Sequence, residues 1–254
     1  MTSRLTKFCA MALVAFAGAS MTAQAKECRD TKFEGASYIV CSFNPATEEL
    51  RTFWRGQSGK PYRTFDALEA ELQGKGSSLR FAMNGGMYRD DFQPVGLYVE
   101  DGRTLAPANT TTLRKRPIPN FYKKPNGVFF VGKGKAGILE TSRFLTKKPA
   151  ARFATQSGPM LVIEGKIHPA FIANSKDLKP RNGVCVTSAT EVHFAITRSW
   201  VNFYEFARFF RDGLKCNNAL FLDGGTAPGL YAPRFGRNDR PGHGGYGPII
   251  AVVE

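Results

Sequence analysis

Two short apolar runs, each ending in a polar residue and two glycines, are the most informative pattern in this chain. The sequence A-L-F-L-D-G-G-T covers residues 219–226, and L-R-F-A-M-N-G-G covers residues 79–86. Runs of this length closed by glycine predict buried strands, and each delivers one polar side chain, Asp223 or Asn84, to a loop. An ordinary Asp-Gly hairpin turn is the alternative for the first stretch. Because the same pattern occurs twice, a functional role is favoured for both polar residues.

Alternation of apolar and polar residues predicts most of the remaining regular structure as strands. It indicates strands at residues 33–43, 50–54, 95–99, 128–131, 184–186, 192–197 and 249–253. Residues 160–163 and 166–168 flank Glu164-Gly165, which predicts a hairpin. Strands therefore dominate the predicted structure.

Helical spacing is confined to two segments, each with a capping signal. Thr64 precedes an apolar stripe formed by Phe65, Leu68 and Leu72, and Gly74 follows it. The second helix begins after Asn202, which forms a plausible capping box with Glu205. Its apolar stripe comprises Phe203, Phe206, Ala207, Phe210 and Leu214. The balance predicts an α+β fold with a strand-rich mixed β-sheet and a few flanking helices.

The first 25 residues have the three-part pattern of a secretory signal peptide. Arg4 and Lys7 precede an apolar segment at 8–21, and Ala23-Gln24-Ala25 forms a small-residue cleavage site. Residues 26–254 then form one domain, because no linker divides them. We expect a periplasmic or secreted protein with no stable membrane insertion after cleavage. An uncleaved anchor is the alternative.

Four cysteines remain after the signal, and their even number in an oxidising compartment predicts two disulfides. Three pairings exist, and we favour the two local ones, Cys28 with Cys41 and Cys185 with Cys216. No C-x-x-C spacing is present, which argues against zinc binding or thiol redox chemistry.

The formal net charge is +14, and removing Arg4 and Lys7 with the signal leaves +12. Such a surface attracts polyanions. Export argues against nucleic acid as a partner and toward anionic glycans, phosphodiesters or a membrane surface. The segment 103–125 forms a long basic loop, and loops of this length are often functional. A basic surface without any ligand is the alternative.

Six motifs taken together resemble the phosphodiester glycosidase family, in a bacterial branch. They are N-G-G-M-Y at 84–88, P-V-G-L-Y-V at 94–99, K-P-N-G-V-F at 124–129, S-G-P-M-L at 157–161, K-P-R-N-G-V at 179–184 and L-D-G-G-T at 222–226. Their number and order over residues 78–254 make the resemblance specific. It implies an exported hydrolase that cleaves the bond between a sugar's anomeric carbon and a phosphate. Envelope or extracellular polysaccharide is the expected source of its substrate.

The resemblance maps the family's catalytic residues onto Asp223, Arg181 and Asn84. Asp223 would supply a carboxylate, Arg181 would hold the phosphate through its guanidinium, and Asn84 would orient substrate or water. A surface cation in a turn is the alternative for Arg181. The expected substrate-binding residues are Gly85, Gly86, Gly224, Gly225, Thr226, Tyr88 and His243. The glycine amides would donate to developing charge. The glycine-rich loop around His243 would close over an anionic substrate, with an ordinary mobile surface loop as the alternative.

Two departures from the family pattern bear on substrate identity rather than on reaction type. Met87-Tyr88 stands where two aromatics are usual, and Thr226 stands where a third glycine would be. Asp90, Asp91 and Glu191 are weaker candidates for a second carboxylate. No cofactor is expected and no loop carries a metal-site signature, with a calcium ion held by carboxylates and carbonyls as the alternative.

A non-catalytic binder of anionic glycopolymers is the second functional hypothesis. The same loops would then hold the ligand without cleaving it. The simultaneous presence of Asp223, Arg181 and Asn84 favours the enzyme.

Overall fold

The computed structural model describes residues 27–224 and 228–254, and strands form most of its regular structure. In chain order the strands are β1 (Cys28–Phe33), β2 (Ala36–Phe43), β3 (Glu49–Phe53), β4 (Leu79–Asn84), β5 (Tyr98–Glu100), β6 (Arg103–Ala106), β7 (Gly127–Gly132), β8 (Lys135–Glu140), β9 (Phe153–Ser157), β10 (Met160–Ile163), β11 (Lys166–Ile167), β12 (Asn182–Ser188), β13 (Glu191–Thr197), β14 (Asn218–Phe221), β15 (Leu230–Ala232), β16 (Arg237–Asn238) and β17 (Ile249–Val253).

Three α-helices accompany the strands in the described part of the chain: α1 (Phe65–Gln73), α2 (Thr141–Lys147) and α3 (Phe203–Arg208). A π-helical turn (Phe209–Gly213) continues α3, and 3-10 turns occupy Asn120–Tyr122 and Pro233–Phe235. No helix among the described residues has both the length and the apolar character needed to cross a bilayer.

The strands form three sheets, and every pairing between named strands is antiparallel. The first sheet has the order β1-β2-β13-β12-β14-β10-β11, the second β16-β15-β4-β17-β3, and the third β6-β5-β9-β7-β8. The predicted α+β class is confirmed. The single mixed sheet is replaced by three antiparallel ones. Helix α1 joins β3 to β4 and helix α3 joins β13 to β14, but an antiparallel strand, β17 or β12, lies between the two members of each pair.

The three sheets share one core, and Phe194 on β13 lies where they meet. Its ring centroid is 5.0 Å from that of Phe81 on β4 and 5.9 Å from that of Phe129 on β7. All three rings are buried. Because each ring comes from a different sheet, their mutual contact fixes the sheets relative to one another.

Helix α3 and its π-helical extension cover the outer face of the first sheet. Phe209 stacks on Tyr38 of β2 with ring centroids 3.7 Å apart, and Phe206, Phe210 and Phe221 complete a second buried cluster. This cluster lies directly behind the end of β14, where Asp223 follows.

The local capping signals are confirmed. The Thr64 hydroxyl accepts the N–H of Ala67 at 3.1 Å, and α1 ends before Gly74. Asn202 and Glu205 form the reciprocal capping box of α3. The hairpin at Glu164-Gly165 is present, with both residues at positive φ.

Parts of the predicted pattern are wrong. Strand β6 occupies residues 103–106, at the start of the segment predicted as a loop. Residues 33–43 are split by a turn at Glu34-Gly35, where both residues have positive φ, so β1 precedes the predicted strand and pairs with it. Strands β8 and β9 and helix α2, between residues 135 and 157, carry too weak a periodicity to be predicted. The proposed signal at 1–25 lies outside the described residues.

Both favoured disulfides are present. Cys28 pairs with Cys41 between directly opposed positions of β1 and β2, and Cys185 of β12 pairs with Cys216, which precedes β14. The second bond spans 31 residues and joins the segments that lead to Asn182 and Asp223.

We predict that the Cys185→Ala/Cys216→Ala variant is less stable than the wild type by about 2 to 4 kcal/mol, since the bond restricts the unfolded chain. Urea unfolding of both proteins measures the difference. The oxidised wild type should show no reactive thiol after denaturation, and two or more reactive thiols in residues 26–254 would contradict the pairing.

Candidate active site

Three strand ends that are distant in sequence meet at one point of the fold. Asn84 is the last residue of β4, Asn182 is the first residue of β12, and Asp223 follows β14 by two residues. The N–H of Leu222 donates to the carbonyl of Asn182 at 3.1 Å, and the N–H of Asp223 donates to the carbonyl of Gly85 at 3.1 Å. The junction therefore joins the first and second sheets.

The side chain of Asn84 holds this junction together. Its Nδ2 donates to the carbonyl of Asp223 at 2.5 Å, and its Oδ1 accepts Nδ2 of Asn182 and the N–H of Gly229, both at 2.8 Å. The residue is 1% exposed. Because an amide oxygen has two lone pairs, both acceptor sites are used. Asn84 thus positions the Asp223 loop through hydrogen bonds within the protein.

Asp223 is the carboxylic acid at this junction. Burial raises its pKa to about 7, because removing a carboxylate from water disfavours its charged form. No side-chain hydrogen bond between described residues involves its carboxyl oxygens. A carboxyl group with such a pKa exchanges its proton near neutral pH, as a catalytic acid or base must.

Tyr88 lies close enough to Asp223 for the two charges to interact, and His243 contacts Tyr88. The pKa of Tyr88 is raised by burial and by the charge of Asp223. Its hydroxyl is 2.7 Å from the carbonyl of Gly245 and 2.5 Å from Nε2 of His243. A phenol has one proton and a carbonyl can only accept, so Tyr88 donates to Gly245 and the His243 ring donates through Nε2–H. This network brings two predicted binding residues together.

The N–H groups of Gly85 and Gly86 are held by protein oxygens, contrary to the expectation that they face an anion. Gly85 donates to the carbonyl of Pro248 at 2.7 Å, and Gly86 donates to the Thr155 hydroxyl at 3.2 Å. A Cβ at Gly86 would lie 2.3 Å from the carbonyl oxygen of Gln156. Close packing between sheets therefore requires glycine here.

Gly224 is required for a similar reason, since a Cβ there would lie 2.5 Å from the Phe221 ring. Gly225 and Thr226, the other two predicted binding residues of this loop, lie outside the described residues.

Arg181 is buried, with 1% of its surface exposed. Its Nε donates to the carbonyl of Val201 and its Nη2 to the carbonyl of Asp177, both at 2.9 Å. Its guanidinium lies 3.8 Å from the centre of the Phe203 ring, and burial lowers its pKa to about 10. The Nε–Nη2 edge that would clamp a phosphate is therefore occupied by the protein, which differs from the expected role.

Asn182 is a site residue that the sequence analysis did not single out. It lies within K-P-R-N-G-V, one of the six motifs, but its Asn-Gly dipeptide is typical of a turn. Its contact with Asn84 spans 98 residues of sequence. The motif was the only available signal, because a single sequence does not reveal such a contact.

The weaker candidates lie away from this network. Asp90 and Asp91 are exposed, and Asp91 accepts the N–H of Gln93 in its own turn. Glu191 contacts Thr187 at the opposite end of β13 from the residues that pair with Asn182. His168 is buried, and its ring contacts the carbonyl of Lys124. Within residues 27–224 and 228–254, no three His, Cys, Asp or Glu side chains group as metal ligands do.

We predict that Arg181→Lys lowers the free energy of unfolding by about 1 to 3 kcal/mol, because at least one buried carbonyl loses its charged donor. The matched control is Arg198→Lys, an exposed residue paired with Asp30, which should change stability by less than about 1 kcal/mol. Urea unfolding measures both. If Arg181→Lys leaves the free energy of unfolding unchanged but weakens ligand binding, the prediction is wrong and Arg181 contacts the phosphate directly.

We predict that Asp223→Asn stabilises the protein at pH 8, by up to about 4 kcal/mol, and has little effect near pH 4. The folded wild type keeps the Asp223 proton up to about pH 7, whereas the unfolded chain releases it near about pH 3.9. Rising pH therefore destabilises the wild type across this interval and not the variant. Thermal unfolding from pH 4 to 8 measures the difference, with the exposed Asp91→Asn as control. Parallel curves for wild type and Asp223→Asn would contradict the prediction.

Comparison with known proteins assigns the chain to a family. The family model of the phosphodiester glycosidases matches residues 77–250. The uncharacterised protein YigE of Escherichia coli K12 is 36% identical over 181 residues, which cover 71% of this chain and 69% of that protein.

Three solved structures share the fold at low sequence identity. The catalytic domain of zebrafish N-acetylglucosamine-1-phosphodiester alpha-N-acetylglucosaminidase superposes with a TM-score of 0.58 at 15% identity, covering 89% of this chain and 81% of that one. A hypothetical protein from Synechocystis gives 0.56 at 14% identity, covering 89% and 61%. A putative exported protein from Burkholderia pseudomallei gives 0.52 at 12% identity, covering 85% and 74%. The family model spans more than half of the chain, and the chain belongs to the phosphodiester glycosidase family.

Proposed function

We propose that this protein hydrolyses the bond between a sugar's anomeric carbon and a phosphate in a sugar phosphodiester. The observation that carries the proposal is the carboxyl group of Asp223, whose pKa of about 7 follows from burial at the junction of two sheets. Family membership supports the reaction class. The zebrafish relative is named for removing N-acetylglucosamine from a 1-phosphodiester.

The leaving group decides how much acid catalysis the reaction needs. A phosphate monoester has a second pKa near ~6, so it departs without strong protonation. One carboxylate then suffices for the essential step. Ionised Asp223 acts in one of two ways. It removes a proton from a water whose oxygen bonds to the anomeric carbon while the phosphate leaves with the bonding electrons. Alternatively, its own oxygen displaces the phosphate to form a glycosyl ester, and water then hydrolyses that ester to release the sugar and restore the carboxylate.

The neighbouring residues position and support this carboxylate. Asn84 holds the Asp223 backbone through its Nδ2, so the carboxyl group approaches the substrate from a fixed loop. Tyr88 and His243 are close enough to contact the sugar or its phosphate. Buried Arg181 supports the site through its packing against Phe203 and its hydrogen bond to Val201, rather than through a bidentate grip on the phosphate.

We place this activity outside the cytoplasm. Two disulfides suit an oxidising compartment, and residues 1–25 carry the pattern of a secretory signal. Envelope or extracellular polysaccharide is a compatible source of substrate, because it carries sugars linked through phosphodiesters.

The direct test is the release of reducing sugar from a panel of hexose and N-acetylhexosamine 1-phosphodiesters. We expect turnover by the wild type and at least about a thousandfold loss in Asp223→Asn, which keeps the size of the side chain but removes its charge. The exposed Asp91→Asn is the matched control and should retain wild-type activity. Normal turnover by Asp223→Asn would remove this residue from the mechanism.

The pH dependence of kcat/KM tests the protonation state. If the ionised form of Asp223 reacts, kcat/KM rises with pH and levels off above about pH 7, because the pKa of the free enzyme governs this profile. A profile that falls above pH 7 would assign Asp223 as an acid instead.

The second candidate function, binding of anionic glycopolymers without cleavage, is favoured by the basic surface of the protein. Tight binding across the panel without any sugar release would support it.

A further inference from the structure

A depression of about 550 Å³ lies beside the Asp223 loop, and the proposed reaction does not use it. Its walls come from the chain before β12, from the end of β13 and from the turn between β15 and β16. The lining residues are Pro180, Thr197, Arg198, Phe235, Gly236 and Arg237. Its volume is in the range of pockets that bind small organic ligands.

Pro180 is the wall that the depression shares with the Asp223 loop. A Cβ on Gly224 would lie 3.5 Å from the carbonyl oxygen of Pro180, so the two backbones are in contact. Both residues are partly exposed. Strand β12 lies between β14 and β13, and the ends of those two strands at this edge are therefore two strand spacings apart, about 10 Å. A substrate that extends beyond a sugar at Asp223 can reach the depression.

The loop 198–200 forms the rim of the depression and presents Trp200 to solvent. Trp200 is 68% exposed, although the next residue, Val201, is buried. The backbone is fixed at both ends of the loop. The N–H of Arg198 donates to the carbonyl of Ser37 at 2.8 Å, and Val201 and Lys179 exchange two hydrogen bonds of 3.2 Å. The exposed indole is therefore held on an ordered support.

The same pairing places this loop directly beside Pro180. The N–H of Thr197 donates to the carbonyl of Arg181 at 2.9 Å, and Lys179 forms a bridge with Val201. Three residues, 198–200, thus lie opposite the single residue 180, and the excess forms a bulge. Bulges of this kind commonly redirect side chains next to functional sites.

The arginines of the depression are paired with carboxylates. Nε of Arg198 donates to Oδ1 of Asp30 at 2.7 Å, and Nε of Arg237 donates to both carboxyl oxygens of Asp239 at 2.9 Å. Because each cation has a counter-charge, the depression does not select an anion. The described residues give the Nη groups of Arg198 no acceptor, so these groups are available to donate to a ligand.

Paired donors and acceptors beside an aromatic face match a neutral sugar. A pyranose carries hydroxyl groups around its rim and C–H groups on its two faces. The hydroxyl groups accept from a guanidinium and donate to a carboxylate, and the C–H face covers an aromatic ring. Here Trp200 offers the ring, Arg198 the donors and Asp30 the acceptor.

We infer that this depression, together with Trp200, binds a second and neutral sugar residue of the substrate. Its place in catalysis rests on the proposed function, whereas the binding itself does not. The reacting sugar would lie at Asp223, and the second sugar would stack on Trp200 and accept hydrogen bonds from Arg198. The substrate then contains at least two sugars, rather than one sugar and a small alkyl group.

The fluorescence of Trp200 reports whether the depression is occupied. The chain has two tryptophans, and the other, Trp54, is buried and donates through Nε1 to the carbonyl of Phe92. Acrylamide therefore quenches Trp200 preferentially. The probes are neutral disaccharides of glucose, N-acetylglucosamine, galactose and mannose, added to residues 26–254, with glycerol as a control that has hydroxyl groups but no ring. We expect at least one disaccharide to reduce the quenching and glycerol to leave it unchanged. Quenching that no disaccharide reduces would overturn the inference.

Variants locate the binding, measured by isothermal titration with the disaccharide that shields Trp200 best. We expect Trp200→Ala to weaken binding about tenfold and Trp200→Phe to weaken it less, because phenylalanine keeps an aromatic face. We expect Arg198→Gln to weaken it about threefold through lost charged donors. The controls are Ile172→Ala, an exposed apolar residue outside the depression, and Arg152→Gln, an exposed arginine paired with Asp101. Equal effects in variants and controls would contradict the assigned position.

Three substrates connect the binding to catalysis and identify where the second sugar is attached. One is a disaccharide 1-(methyl phosphate), one is a phosphodiester that joins two monosaccharides, and the reference is a monosaccharide 1-(methyl phosphate). We expect kcat/KM for the first or the second to exceed that of the reference at least about fivefold, and Trp200→Ala to reduce this ratio. The preferred substrate shows whether the second sugar is carried by the reacting sugar or by the phosphate.

The results separate this inference from the proposed function. Disaccharide binding at Trp200 without sugar release from any ester would refute the proposed function and leave the binding site standing. Sugar release with equal kcat/KM for all three substrates would refute the inference and leave the function standing.

An anionic bilayer is the other partner that suits an exposed tryptophan beside arginines. Asp30 and Asp239 argue against it, because their carboxylates repel anionic lipid. Vesicles of phosphatidylcholine and phosphatidylglycerol provide the test. We expect the emission of Trp200 to stay unchanged in their presence. A blue shift with vesicles, and no shielding by any disaccharide, would indicate membrane contact and overturn the inference.

Discussion

The carboxamide of Asn84 is the interaction on which the candidate site depends. It connects the end of β4, the start of β12, the Asp223 loop and the N–H of Gly229 through three hydrogen bonds inside a dry environment. Each bond has a fixed donor and acceptor, so the amide has only one satisfactory orientation. Buried networks of this kind are stable only when complete. The position of the Asp223 carboxyl group is therefore set by a residue whose amide oxygen has no acceptor site left for a ligand.

The environment of Asp223 follows from the packing around it. The aromatic cluster under α3 excludes water from the end of β14, and the glycine at 224 allows Phe221 to approach the loop. Burial that raises the pKa of a carboxyl group also lowers the free energy of unfolding. The loss occurs at pH values above the pKa that this group has in the unfolded chain. Proteins commonly accept this kind of cost at catalytic positions. The strain here is electrostatic, since the charged form of Asp223 lacks the hydration that it would have in water.

The sequence was most informative where structure is determined locally. Thr64, Asn202 and the Glu164-Gly165 turn act on their own neighbours, and each is as predicted. The two strand-turn motifs also singled out Asn84 and Asp223, which the fold brings together at one junction. Three sheets instead of one could not be inferred, because the pairing of strands depends on contacts between distant residues.

The roles of the glycines and of Arg181 could not be predicted from the sequence, for the same reason. A motif indicates that glycine is needed at 86 but not whether a ligand or the Gln156 carbonyl approaches it. Likewise, arginine beside proline is typical of an exposed turn, and only the fold shows Arg181 buried beneath Phe203. The role of such a residue can be assigned only when the groups that pack against it are known.

The position of β17 has a consequence for how the protein is made. This strand comprises residues 249–253, yet it lies between β3 and β4 and supplies hydrogen bonds to both. While residues 249–253 remain on the ribosome, both neighbours have an open edge and Asn84 lacks its partner Ile249. The second sheet therefore cannot close until residues 249–253 have been synthesised. The order of the strands thus makes the junction at Asn84 a part of the fold that forms late, however early β3 and β4 emerge.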